Sequence, residues 1–318
     1  MSPTAPEQLP FLSARVLDDL RLTTGEIVDS IERALRTQRR GLAWNAPKMV
    51  ITPPDDRYLM ATLSAADDPP LLAVKALVLN PRNRDRGLSD INALVTVLHS
   101  DTGQPVAVLD GNWITAVRTA GLSGVAARRL ARPDASSAAF IGCGVQAHSH
   151  LRALAALFPL REIRTFSRSL AGQTALCQAA MDLGLKAWTC ATARDAVMEA
   201  DLIVSSVTLR PRPTPFVDAR WLTPGAFAMV TDLAVPWIAE GMRAFDRIVI
   251  DDLEQEAQMP DPLVESRLIA GDLSGLVEGL IAARQSATER AAFVFRGLAL
   301  GDLAVAGLAC QRAGLLPA

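Results

Sequence analysis

Histidine, lysine and cysteine are all scarce in this chain of 318 residues. His99, His148 and His150 are its only histidines, too little material for a histidine metal cluster or a Ser-His-Asp relay, so no metal site is expected. Cys143, Cys177, Cys190 and Cys310 lie far apart with no CxxC pair, which suits reduced thiols better than a disulfide frame or a zinc site. No apolar run approaches the roughly 18 residues that span a bilayer. Met1-Ser2-Pro3-Thr4 leads into neither a basic segment nor an apolar core, so no secretory signal is expected. A formal net charge of −2 gives no long-range pull toward nucleic acid or an anionic membrane. These absences point to a cytoplasmic globular protein. Lys48, Lys75 and Lys186 are the only lysines among 32 basic residues. Where lysine survives against that background, a compact ammonium is wanted rather than a planar fork.

What is present reads as two domains of ordinary size. Ser13 to about Gly41 carries apolar residues at helical spacing, among them Leu17, Leu20, Ile27, Ile31 and Leu35. Short strand-like stretches follow at Lys48–Thr52, Tyr58–Leu63, Leu71–Leu79, Ala93–His99 and Val106–Asp110, with a hairpin turn at Asp101-Thr102-Gly103. The front third is therefore α+β with an antiparallel sheet. Ile114–Leu130 reads as a long helix stopped by Arg132-Pro133-Asp134. Strands and helices then alternate as far as Arg247–Asp251, the pattern of a parallel doubly wound sheet. From about Ser286 the tail reads as one Ala/Leu-rich helix.

Gly142-Cys143-Gly144-Val145-Gln146-Ala147 is a GxGxxA turn between an apolar strand and a helix, the context in which such a turn holds a dinucleotide. Gly142 permits the tight turn, Gly144 lets the backbone approach a pyrophosphate, and Ala147 allows close helix–strand packing. About twenty residues on, at the end of the next strand, this motif takes an acid where NAD is bound. Ser167-Arg168-Ser169 stands there instead, which favours the 2′-phosphate of NADP(H), with NAD(H) the alternative. Thr119, Val207 and Thr208 are further cofactor-binding candidates. His148 and His150, two apart, face different sides of the helix and read as surface or packing residues.

Asp110-Gly111-Asn112-Trp113-Ile114-Thr115-Ala116-Val117-Arg118-Thr119-Ala120, taken with the glycine turn, resembles the ornithine cyclodeaminase/mu-crystallin family. The likeness extends to Asp101–Pro105, Phe293, Gly297, Ala299 and Asp302. It implies a Rossmann domain (117–289) inserted in an α+β substrate-binding and dimerisation domain (1–116 with 290–318), and hence a homodimer. It also implies an enzyme acting on C–N bonds at the α-carbon of amino or imino acids. Lys48, Lys75 and Arg118 fall where the family clamps the substrate carboxylate, and Asp232 falls near a family acid that contacts the substrate nitrogen. Asp232-Leu233-Ala234-Val235-Pro236 departs from the family's Asp-x-Pro-Gly-Lys, with Pro236 displaced and Trp237 after it. Chemically, a carboxylate beside a C–N bond needs a cationic clamp to set its α-carbon over nicotinamide C4. Arg118 can bind it bidentately, and Lys75 or Asp232 can manage the proton. The expected activity is an NAD(P)H-dependent reductase making an L-amino acid from a small α-imino acid, or the reverse dehydrogenase. The alternatives are an ornithine or lysine cyclodeaminase that recycles its NAD, and a non-catalytic NADPH-binding crystallin-like protein.

Overall fold

The computed structural model describes residues 8–209 and 212–317. Contacts divide the chain into two units, Met1–Arg118 with Leu298–Ala318, and Thr119–Gly297. Among the described residues no helix is long and apolar enough to cross a membrane.

The first unit begins with β1 (Phe11–Leu12), α1 (Ala14–Asp19) and α2 (Thr24–Arg39). The single helix expected over 13–41 is thus two. Thr23 breaks it, because its hydroxyl accepts from Glu26 N while Glu26 accepts from Thr23 N, a capping box that starts a new helix. There follow β2 (Ala43–Asn45), β3 (Met49–Ile51), β4 (Tyr58–Asp67), β5 (Pro70–Leu79), β6 (Ile91–His99) and β7 (Pro105–Asp110). They form a mainly antiparallel sheet in the order β1-β7-β6-β5-β4-β2, with β3 also on β4. The short strand β2 was not foreseen.

Alternation along β5 sets the two faces of this sheet. Leu71, Ala73, Lys75 and Leu77 are buried, and the residues between them are not. The buried side lies under α2 and the C-terminal helix Ala299–Arg312, where Gly307 sits so close to Leu71 that a Cβ would come within 2.9 Å of it. The other side exposes Leu63, Val78 and Leu94.

Helix α3 (Gly111–Leu130) starts directly after β7. Asp110 caps it, accepting from Asn112 N and Trp113 N at 2.9 Å. Gly111 is packed on β6: a Cβ there would lie 2.5 Å from the carbonyl carbon of Ala93. The Asp-Gly start of the helix is thus a cap followed by a close approach.

In the second unit, β8 (Ser137–Ile141), α4 (Val145–Leu157), β9 (Glu162–Phe166), α5 (Leu170–Asp182), β10 (Lys186–Thr189), α6 (Ala193–Val197) and β11 (Leu202–Ser205) alternate as expected. β12 (Phe227–Val230), β13 (Arg247–Ile250), β14 (Ile269–Asp272) and β15 (Ala291–Val294) complete the sheet. Its order is β10-β9-β8-β11-β12-β15-β13-β14, with every pair parallel. β15 corrects the reading of the tail as a single helix: Ala291–Val294 lies between β12 and β13, and the last helix starts only at Ala299. All four β15 residues are buried, and so short an apolar run does not reveal by periodicity whether it is strand or helix.

Replacing Gly111 by alanine pushes α3 off β6 and is expected to lower unfolding free energy by about 1–3 kcal/mol, as overpacking does. A urea titration measures this; a variant as stable as the parent would mean that the helix start shifts without strain.

Candidate active site

Strand register builds the candidate site of the first unit. Thr62 on β4 lies directly opposite Lys75 on β5, and Met49 pairs with Ala61, so Lys48 enters β3 at the level of Thr62. Directly opposite residues share a face, here the face that meets the C-terminal helix. That helix supplies Asp302. Lys75 Nζ donates to its Oδ1 at 2.8 Å and stands 2.8 Å from Oδ2, and Thr62 Oγ1 donates to Oδ2 at 3.3 Å. Arg118, from α3, brings its Nε within 3.1 Å of Oδ1.

The cluster is dry. Lys75 is 1%, Asp302 2% and Arg118 7% exposed. Burial, and then the charge of Arg118, push the Lys75 ammonium down to about 8, with Asp302 opposing them. Burial alone would raise the Asp302 carboxyl, but Lys75, Arg118 and Lys48 outweigh it and hold it below the ordinary carboxylate range. Three cations thus gather around one anion, leaving an excess of positive charge. Arg118 also keeps donors unused: its Nε approaches Asp302 as an ion pair without hydrogen-bond alignment, and Nε and Nη1 are buried with no hydrogen-bond partner among the described residues. Buried guanidinium N–H groups without acceptors are costly unless a ligand takes them. A carboxylate matches both their charge and their fork. Lys48, Lys75 and Arg118 are therefore brought together. Asp302 had stood only as a family match, and Thr62 was missed, since its place depends on strand register rather than on local pattern.

The other unit carries its own candidate site, the glycine turn. Gly142 has φ +91°, and a Cβ on it would lie 2.5 Å from the carbonyl oxygen of Ser206, so no side chain fits. Gly144 is the N-cap of α4 and provides no side-chain cap, while the space beside its Cα is open. The N-terminus of α4, at Val145, thus presents the positive end of the helix, where an anion is favoured. Ala147 is fully buried against the sheet. Cys143 in the same turn is no nucleophile, because burial pushes its thiol up to about 11. These features fit a dinucleotide pyrophosphate.

At the end of β9, Ser167 and Ser169 turn inward on the chain. Ser167 Oγ donates to Ser169 O at 2.9 Å, and Ser169 caps α5 by accepting from Gly172 N at 3.1 Å. Arg168 is exposed. Thr119 is buried on α3, Thr208 is exposed, and Val207 lies beyond β11, which ends at Ser205 rather than at Val207 as expected. His150 is a packing residue: burial lowers it to about 4, and it lies between Gln146 O at 2.8 Å and Ser123 Oγ at 2.9 Å.

Asp232 departs from the expectation of a carboxylate facing a crevice. It is 2% exposed, and its Oδ2 accepts from Ser205 Oγ and from Val207 N at 3.1 Å. Burial raises its carboxyl to about 6 against those two donors. Ser205 in turn accepts from Trp237 Nε1 at 3.0 Å. No local pattern marks Ser205 or Trp237 as a partner of Asp232.

Asp302→Asn leaves Lys75 and Arg118 buried without their counter-charge and is expected to cost on the order of 3 kcal/mol of stability. Thermal and urea unfolding measure it; a loss below about 1 kcal/mol would show that the carboxylate does not hold the cluster together.

Residues 11–314 match the Ornithine cyclodeaminase/mu-crystallin family. An alanine dehydrogenase of Archaeoglobus fulgidus is 28% identical over 308 residues, which are 92% of this chain and 91% of that protein. Among solved structures, the Delta(1)-pyrroline-2-carboxylate reductase of Thermococcus litoralis in complex with NADH and L-proline superposes with a TM-score of 0.88 at 27% identity, covering 96% of this chain and 97% of its own. An archaeal alanine dehydrogenase dimer with bound NAD gives 0.85 at 26% identity, covering 96% of each chain. With the match running through both units, this chain is a member of the ornithine cyclodeaminase/mu-crystallin family.

Proposed function

We propose that this chain is an NAD(P)H-dependent reductase that converts a small α-imino acid to the L-amino acid, or runs the reverse dehydrogenation. The observation that carries the reading is the buried cluster of Lys75 and Arg118 around Asp302, with the half-buried Lys48 acting on the same carboxylate and Arg118 N–H groups left unused. Arg118 and Lys48 bind the substrate carboxylate and fix the α-carbon. Lys75, held near neutrality and oriented by Asp302, gives its proton to the substrate nitrogen, or takes it back in the reverse direction. A bound nicotinamide supplies or accepts the hydride. In reduction the imine carbon gains the hydride and the nitrogen gains the proton, so charge and electrons balance.

The face beside the clamp favours an apolar substrate side chain. Met60 pairs with Leu77 and Tyr58 with Leu79, the next two pairs that share the face of Thr62 and Lys75. None of the four is charged. A cyclic imino acid suits such a wall, and the L-proline bound by the Thermococcus litoralis neighbour is a cyclic amino acid. A diamino acid, the cyclodeaminase substrate, would set a second ammonium against it. Arg168, exposed at the end of β9, supports NADP(H) as the preferred cofactor, with NAD(H) the alternative. The open apolar sheet face around Leu63 and Leu94 supports a homodimer joined through this unit.

Supplied with Delta(1)-pyrroline-2-carboxylate, the protein is expected to oxidise NADPH faster than NADH, and Arg168→Ala should remove that preference. kcat/KM should fall as pH rises through about 8, where Lys75 loses its proton. Arg118→Met should lower kcat/KM by about a hundredfold, the scale of a lost charge-assisted contact pair. Ammonia released from ornithine without added reductant, or turnover indifferent to Arg118→Met, would sink the reading. Sedimentation at micromolar concentration should give twice the chain mass; a monomer would rule out the sheet face as an interface.

A further inference from the structure

Chain geometry just after β12 is unusual. Asp232 O accepts from Val235 N at 3.1 Å, closing a turn whose two central residues are Leu233 and Ala234, with φ of 57° and 56°. A turn with both central residues left-handed ordinarily takes Asn-Gly, because a Cβ is strained there. Strain of this kind persists only where the surroundings over-determine it. Here they do so through Trp237, which is buried, donates its backbone N–H to Ala234 O at 3.0 Å and its Nε1 to Ser205 Oγ at 3.0 Å. The effect of the turn is to aim Asp232 inward along the sheet.

The inward carboxylate gathers the ends of three neighbouring strands. Its Oδ2 takes Ser205 Oγ, at the end of β11, and Val207 N, two residues beyond. Ser206, between them, donates its N–H to Ile141 O at 2.8 Å at the end of β8. The carbonyl oxygen of Ser206 would lie 2.5 Å, and Val207 N 3.1 Å, from a Cβ on Gly142. The Ser205–Val207 segment is therefore the surface on which the first glycine of the phosphate turn rests. In a doubly wound sheet the dinucleotide lies at these carboxyl ends of the strands.

We propose that Asp232 is a positioning residue for the dinucleotide: it fixes the Ser205–Val207 segment against Gly142 and acts on the cofactor through that segment, not as an acid or base on the substrate. The inference rests on the dinucleotide reading of the turn. Asp232 is enclosed, and both of its donors, Ser205 Oγ and Val207 N, lie on Oδ2, so its hydrogen bonds run to this segment, while Oδ1 is buried without a hydrogen-bond partner among the described residues.

The test uses the full chain and measures NADPH and NADH binding by nicotinamide fluorescence without substrate, together with kcat on Delta(1)-pyrroline-2-carboxylate at saturating cofactor. Asp232→Ala is expected to raise the dissociation constant about tenfold or more, the scale of losing its two hydrogen bonds. Asp232→Asn, whose amide oxygen can accept both donors, should restore binding to within about threefold and keep kcat within about threefold. Ser205→Ala keeps the carboxylate and its Val207 N–H contact and should weaken binding several-fold, so the inference is still tested if Asp232→Ala does not fold. Unchanged binding in both Asp232→Ala and Ser205→Ala would overturn it. So would a loss of kcat of about a hundredfold in Asp232→Asn with binding intact, the mark of a lost proton carrier. A parent chain that binds neither dinucleotide overturns the cofactor reading itself, and this inference with it.

Discussion

A carboxylate buried among cations is the constraint to which much of the first unit answers. Asp302 can stay ionised in a dry interior only because Lys75 and Arg118 stand within ion-pair distance. That requirement fixes several elements together. β5 must present Lys75 to the inner face, α3 must begin where Arg118 reaches the same carboxylate, and the C-terminal helix must pack with Asp302 toward the sheet. The small residues at the close approaches serve the same end, as Gly307 does over Leu71 and Gly111 does against Ala93. Such a cluster adds little net stability. What it does provide is positive charge and unused Arg118 donors held in fixed positions.

The second unit solves a different problem by backbone geometry. Its phosphate turn offers N–H groups and a helix dipole rather than side-chain charge. Gly142 accepts a left-handed conformation and an approach that no Cβ would survive. Two glycines a residue apart thus play unlike parts: the first is pressed against its neighbour, and the second faces open space.

Local chemistry was legible in the sequence where it repeats at short range. The βαβ alternation and the glycine turn announce themselves at short range, whereas the start of α3 at Gly111 does not, the expected helix beginning only at Ile114. Lys75 was legible because lysine is rare and this one lies in an apolar strand. What could not be read depends on distant pairing. Thr62 owes its place to register with β5, and Ser205 and Trp237 meet Asp232 only after three segments converge. β15 was hidden for another reason: a fully buried four-residue run has no polar face to betray its period. Asp232 was seen, but its surroundings were not, and these decide what a carboxylate can do.

Alternation along β5 has a consequence for how the sheet assembles. A slip of one residue would turn Lys75 to the open face and set Val74 or Ala76 beneath the C-terminal helix. Apolar packing alone would tolerate that exchange, since the residues on either side are small or aliphatic. Charge would not, because Asp302 would then be sealed in without its ammonium. The ions of this cluster thus also proofread the strand pairing that creates them.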